Sequence, residues 1–222
     1  AQKLPLASWD GHPYWFALTS KLAAAGDQFV AVARDEAIAS LPQYAHDEGV
    51  MDEAYFSSVI EGAYSTRQRA HELLASNEPP QNRNEQMIYN NYHALRFVLE
   101  HLDGPINEAV ILEIARILTA NTLEEGVTSG YRDAGVQVVS GRQEIVYVAP
   151  EAQYVRPMMN ALLNYIADPT VHPVIKACVA HIYFVTIHPF FDGNGRTARA
   201  LSYMILLKAG YHFIRQFPIS GI

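Results

Sequence analysis

Apolar residues in this chain recur at helical spacing over most of its length, and Gly or Pro interrupts them at short intervals. Ile88, Tyr92, Leu95, Leu99 and Leu102 form one stripe, which Gly104-Pro105 stops. Val110, Ile111, Ile114 and Leu118 form another. Glu151 to Ile166 reads as a helix. A further helix starts at Pro173, with Val174, Cys178, Ile182 and Val185 on a buried face, His181 and His188 on or near it, and Pro189 at its end. Upstream, a helix is predicted from Pro13 to Ala25, stopped by Gly26. Asp27 caps a second running toward Ser40, and a third runs from about Val50 through Leu74. Trp9 and Trp15 are expected to anchor the N-terminal helices. One segment breaks the period: Val136 and Val138, then Ile145, Val146 and Val148, flank Ser140-Gly141-Arg142-Gln143 and read as a β-hairpin. The expected fold class is all-α with one small hairpin, divided into an N-terminal helical region over 1–48 and a core over 49–222.

Composition narrows the function. Half of the 222 residues are hydrophobic, enough for a full core. Lys plus Arg is 16 against Asp plus Glu 23, a net charge of −7, the reverse of what a phosphate-neutralising nucleic-acid binder carries. The single cysteine, Cys178, allows no intrachain disulfide. No run approaches the roughly 18 apolar residues of a membrane span, and Ala1 to Trp9 does not read as a signal peptide. A cytoplasmic protein without nucleic-acid or membrane partners is expected.

Between the last two helical patterns stands His188-Pro189-Phe190-Phe191-Asp192-Gly193-Asn194-Gly195-Arg196-Thr197-Ala198-Arg199. Gly193-Asn194-Gly195 permits close backbone approach, so several N–H groups can converge on one anion. The helix that starts there adds its own N-terminus. Arg196 and Arg199 are three residues apart, on one helical face, and both can reach phosphate oxygens. Asp192 is a single carboxylate beside this cradle, enough for Mg²⁺ that also takes phosphate oxygens. His188 has a suitable pKa to accept a proton from a hydroxyl nucleophile. Together these groups make a phosphoryl- or nucleotidyl-transfer site.

The string resembles, at every defined position, the signature of the Fic (filamentation induced by cAMP) family, His-Pro-Phe-x-Asp-Gly-Asn-Gly-Arg-x-x-Arg. The resemblance extends more loosely from about Val50 to Tyr211 and includes Gly130-Tyr131-Arg132 and Ala209-Gly210-Tyr211. It implies a compact helical fold and transfer of AMP from ATP to a hydroxyl side chain of a target protein. His188 would be the general base, Asp192 the Mg²⁺ ligand, Gly193, Asn194 and Gly195 the anion hole, and Arg196 and Arg199 the phosphate holders. The hairpin from Val136 to Val148 looks like the family's flap, where a target segment pairs by strand addition; as a bare hairpin it is equally a surface ornament. Some relatives carry Asn near the adenine, four residues after the second arginine; here that position is Tyr203, which either stacks on a base or packs in the core.

Ser57-Ser58-Val59-Ile60-Glu61-Gly62 resembles the family's inhibitory motif, [Ser/Thr]-x-x-x-Glu-[Gly/Asn]. The resemblance implies that Glu61 pairs with Arg199 and displaces the ATP γ-phosphate. Ser58-x-x-Glu61 is also the pattern of a capping box at a helix start. The expected activity is thus a self-inhibited protein adenylyltransferase dependent on Mg²⁺ and ATP. The alternatives are removal of AMP or transfer of another phosphate group, and a nucleotide-responsive module with little turnover. A homodimer is left open.

Overall fold

The computed structural model describes residues 2–17, 19–33, 43–76, 78–142 and 144–221. Among them eight α-helices dominate: α1 (Ser20–Ala33), α2 (Gln43–Ile60), α3 (Arg67–Ser76), α4 (Arg83–Glu100), α5 (Glu108–Thr119), α6 (Ala152–Ala167), α7 (Pro173–Ile187) and α8 (Asn194–Lys208). Two antiparallel hairpins complete it, β1 (Gln2–Ala7) with β2 (Pro13–Phe16) and β3 (Gln137–Val139) with β4 (Ile145–Val148). The mainly helical fold class holds. The second hairpin falls where β-branched residues flank the Gly turn, with Val138 opposite Tyr147.

α7 and α8 lie at the centre. α8 is buried on nearly every side, through Ala198, Leu201, Tyr203, Met204, Ile205 and Leu207. A helix apolar all round must have neighbours all round, and α2, α4, α5 and α7 supply them. Asn82 and Asn107 cap α4 and α5, their side chains accepting from Glu85 N and Val110 N. Leu6 belongs to the same core as α5 to α8, and Tyr183 Oη donates to Ala7 O at 2.8 Å, so the first hairpin is sewn onto α7.

Several local expectations are corrected. Pro13 to Ala25 is not one helix: Pro13–Phe16 is a strand, and Trp15 pairs with Lys3. The missed cue was Asp10-Gly11, a hairpin turn with Gly11 at φ 84°. Gly26 does not stop α1 and Asp27 does not cap a new helix, because α1 runs through both to Ala33. One interior glycine costs about 1 kcal/mol, which docking of Phe29 against Tyr211 and Phe213 can offset. The predicted continuation toward Ser40 lies outside the described residues. Trp9 and Trp15 sit half-exposed on the first hairpin rather than anchoring helices.

The third predicted helix is two helices. α2 ends at Ile60 in a Schellman turn: Ala63 N donates to Ser58 O, Gly62 N donates to Val59 O, and Gly62 adopts φ 88°. Thr66 then caps α3, its hydroxyl accepting from Arg69 N. α2 itself continues without a break through residue 48. On α7 the buried face is not the expected stripe either. Ile182 is 63% exposed and Cys178 is exposed, whereas Ala177, Ala180, Tyr183, Phe184 and Ile187 are buried. The helix is apolar on so many sides that spacing alone does not select a face. No helix among the described residues is long and apolar enough to cross a membrane.

Gly49 of α2 tests the packing. A Cβ built there would stand 2.1 Å from the carbonyl oxygen of Arg215. Gly49→Ala gains about 1 kcal/mol of helix propensity, but the clash is with backbone, and overpacking of this kind costs about 1–3 kcal/mol. The variant is expected to be less stable than the parent in urea denaturation; a net gain would mean the C-terminal segment is free to move away.

Candidate active site

The site is built where α7 hands over to α8. His188 ends α7 in the left-handed conformation (φ 49°, ψ 60°), which a non-glycine residue adopts at a cost of about 1–2 kcal/mol. Pro189 disfavours a further helical residue before it. Asn194 then shapes the loop: its Oδ1 accepts from Phe190 N at 2.9 Å and its Nδ2 donates to Phe190 O at 2.8 Å. Its side chain is therefore a staple inside the loop rather than a lining of the anion hole. Gly193 takes φ 78° and opens α8. A Cβ on Gly193 would meet Thr119 Cγ2 at 2.9 Å, so the loop lies directly on the end of α5.

The ionisable groups follow from this frame. His188 Nδ1 faces Val185 O at 3.3 Å, which assigns the proton to Nδ1 and leaves Nε2 as the acceptor. Burial pushes the imidazole below its ordinary value, and the Arg132 cation adds to the effect, so the ring is neutral at pH 7. Asp192 Oδ1 accepts from Gly193 N and from Arg196 Nη2, the latter at 3.2 Å. Its Oδ2 is 3.7 Å from the exposed Arg83 guanidinium. Arg196 is 1% exposed, and its Nη1 donates to Leu118 O at 2.9 Å, capping α5. Burial lowers its pKa, and its Nε is buried without an acceptor among the described residues.

The C-terminal end of α2 meets the loop here. Arg199 Nη2 donates to Glu61 Oε1 at 2.6 Å and to Ser57 O at 3.0 Å, and Arg199 Nε donates to Ser57 Oγ at 2.8 Å. Glu61 lies against Gly195, where an added Cβ would be 2.1 Å from Oε1. The carboxylate thus sits at the first turn of α8, where backbone N–H groups lack helical acceptors and favour an anion. The capping-box alternative fails, because Ser58 lies in the last turn of α2 and its hydroxyl donates back to Ala54 O at 2.8 Å. Glu61 directly follows Ile60, the last residue of α2, and the αL turn at Gly62 lets the chain leave while the carboxylate points at α8.

The structure brings together His188, Asp192, Gly193, Gly195, Arg196, Arg199, Ser57 and Glu61. It sets Tyr203 apart: the ring is 1% exposed in the core, and burial with the nearby Glu53 charge raises its pKa. One residue given no role from sequence belongs to the site's frame. Arg132, in Gly130-Tyr131-Arg132, donates from Nε to His188 O at 2.7 Å. Its only signal in the sequence was that tripeptide, and the fold is needed to find its partner 56 residues away. No group of three or more His, Cys, Asp or Glu among the described residues could hold a metal by itself.

Residues 105–206 match the Fic/DOC family model. It is similar to protein adenylyltransferase fic-1 of Caenorhabditis elegans, 35% identical over 127 residues, which are 53% of this chain and 23% of that protein. A solved fragment of C. elegans Fic-1 superposes with a TM-score of 0.62 at 25% identity, covering 86% of this chain and 60% of the fragment. A Fic family protein from Desulfovibrio desulfuricans shares the fold with a TM-score of 0.77 at 24% identity, over 93% of this chain and 64% of that one. The chain spans less than a quarter of the curated relative's length.

Burial also lowers the pKa of His93 and His181. All three histidines titrate near about 6.5 when unfolded. Below that pH the unfolded chain binds more protons than the folded one, so stability is present at neutral pH and falls with acidification. The melting temperature followed by circular dichroism is expected to drop between about pH 7 and pH 5, and His93→Gln with His181→Gln should flatten the slope. An unchanged slope in that variant would show that other groups set the dependence.

Proposed function

We propose that this chain transfers AMP from ATP to a hydroxyl side chain of a target protein, and that Glu61 holds the activity in check. The observation that carries the reading is the Glu61–Arg199 pair seated on Gly195, in the loop that begins at a neutral histidine. The relative's designation as a protein adenylyltransferase supports it.

His188 Nε2 takes the proton from the target hydroxyl while that oxygen attacks the α-phosphorus, and pyrophosphate leaves. Arg199 and the first N–H groups of α8 offset the charge on the phosphates. Arg196, buried beneath the loop, holds Asp192 in place and adds a positive field. Asp192 fits a magnesium ion, since Oδ1 is held by the loop and Oδ2 accepts no hydrogen bond among the described residues. One carboxylate plus phosphate oxygens is an ordinary magnesium set, and the ion would supply charge neutralisation there. The β3–β4 flap is expected to seat the target: Val139, Ile145, Val146 and Val148 are exposed, and each outer edge of a two-stranded sheet offers free backbone groups.

While Glu61 occupies Arg199, the γ-phosphate lacks its donor. A charge-assisted hydrogen bond of this kind is worth about 1.5–3 kcal/mol, or about ten- to a hundredfold in population. Glu61→Gly and Glu61→Ala should therefore both raise transfer by about that factor. Label from α-labelled ATP should be retained on protein and label from γ-labelled ATP should not. Retention of γ label means kinase chemistry, and ATP binding without label means a regulatory module. Failure of both variants to activate removes the brake.

In the Glu61→Gly background, His188→Ala should bind ATP as the parent does and lose about 10²–10⁴-fold in transfer. Full labelling would remove His188 from the role of base.

A further inference from the structure

Arg132 is 2% exposed and forms no ion pair with a carboxylate among the described residues. Burying a guanidinium is costly unless its donors are all used. Here four of the five N–H donors go to backbone carbonyls. Nε donates to His188 O at 2.7 Å, Nη1 to Ala134 O at 2.8 Å, and Nη2 to both Pro150 O at 2.5 Å and Ile187 O at 3.3 Å. Two of these carbonyls lie at the end of α7. The other two lie at the roots of the flap, just before β3 and just after β4. The Arg132 N–H also donates to Pro189 O at 2.9 Å. Farther out, Tyr147 Oη of β4 donates to Thr186 O at 2.6 Å.

We propose that Arg132 is the positioning residue that holds the flap and His188 in one frame, so that a strand seated on the flap meets the imidazole in register. The planar fork suits the task. It reaches carbonyls on two sides at fixed angles, whereas an ammonium is a point charge on a flexible stem. It also holds the strained carbonyl of His188, the residue whose left-handed backbone aims the ring. Proton transfer and in-line attack tolerate little misplacement, and an error of about 1 Å costs about a hundredfold. ATP itself meets the other side of the loop, at Gly195 and Arg199, which Arg132 does not touch. The inference rests on the transfer reading for its kinetics but not for its geometry.

The test uses Arg132→Gln and Arg132→Lys in the Glu61→Gly background, with kcat, ATP affinity by calorimetry, and NMR of the His188 ring and of the Val138 and Tyr147 amides. Arg132→Gln should lower kcat about a hundredfold with ATP affinity held within about threefold. It should also shift the His188 ring and the flap amides together. The charged groups acting on His188 are Arg132, Glu61 and Asp192. With Glu61 absent, loss of the Arg132 cation should move the imidazole titration upward. Arg132→Lys keeps the charge, so the titration should stay near the parent's, while kcat recovers only in part because fewer carbonyls are reached.

A folded Arg132→Gln protein with parental kcat overturns the proposal. So does an equal fall in kcat and ATP affinity, which is general loosening. If the Gln variant does not fold, Arg132→Lys decides alone: parental kcat overturns the proposal, and a low kcat with ATP affinity kept supports it. If the Glu61→Gly parent itself transfers nothing, the transfer reading has failed. The NMR arm then still judges the frame, and it fails if either His188 or the flap amides stay unmoved.

Discussion

The two hydrogen bonds between the Asn194 side chain and the backbone of Phe190 set the shape on which the rest of the site depends. They close the loop between α7 and α8 without a strand or a metal. That closure lets α8 begin at Asn194 with its first N–H groups free and with Arg196 and Arg199 one turn in. Arg196 then goes down into the core to cap α5, and Arg199 stays at the surface of the site. Two arginines three residues apart thus do different jobs. The difference comes from burial, since one guanidinium is nearly inaccessible and the other faces the end of α2.

Electrostatics around the loop are balanced rather than strongly attractive. Arg132 is a buried cation that gives its hydrogen bonds to carbonyls, Arg196 gives one to the Leu118 carbonyl and one to Asp192, and burial, with the Arg132 charge adding to it, keeps His188 neutral. A neutral imidazole is the form that can accept a proton. A negative group arriving at the start of α8 would find two arginines and a helix N-terminus. In this structure that negative group is Glu61, and a polyphosphate would have to replace it. The same features that recommend the loop as a phosphate site therefore make it a site for a carboxylate, which is the physical basis of the proposed restraint.

The motif loop was legible in the sequence because its chemistry is local: His188 through Arg199 is one uninterrupted string. The second hairpin was legible because β-branched residues around Ser140-Gly141 contrast with the helical period on both sides. The first hairpin was not, since three aromatics in Tyr14-Trp15-Phe16 fit a helix as well as a strand, and only pairing with β1 decides. The exposed face of α7 was also misread, because its burial depends on which neighbours arrive. Arg132 gained its role only in three dimensions, since it acts through a partner far along the chain, whereas Ser57 already stood in the motif that pointed to Glu61. Tyr203 sits at a position open to two readings, and the packing of α8 puts it in the core.

The way α2 ends bears on how the proposed restraint could be relieved. The body of this helix is fixed: Ser58 Oγ lies within hydrogen-bond reach of Ala54 O and Met87 O, Asn91 Nδ2 donates to Ser58 Oγ and Ala54 O, and Asp52 binds Arg67 and His71. Displacing the whole helix would break these buried contacts. Glu61, however, lies beyond Ile60, and Val59 and Ile60 are exposed. Moving the carboxylate requires only that the Schellman turn at Gly62 open and the Arg199 contact break. Helix ends fray at little cost, so the ion pair, and not the helix, is the main barrier to release. A relief mechanism confined to one turn leaves Ser57 on Arg199, which would keep the arginine oriented toward the loop as Glu61 departs. On this geometry the restraint and the preparation of the phosphate site are parts of one contact set, separable at a single carboxylate.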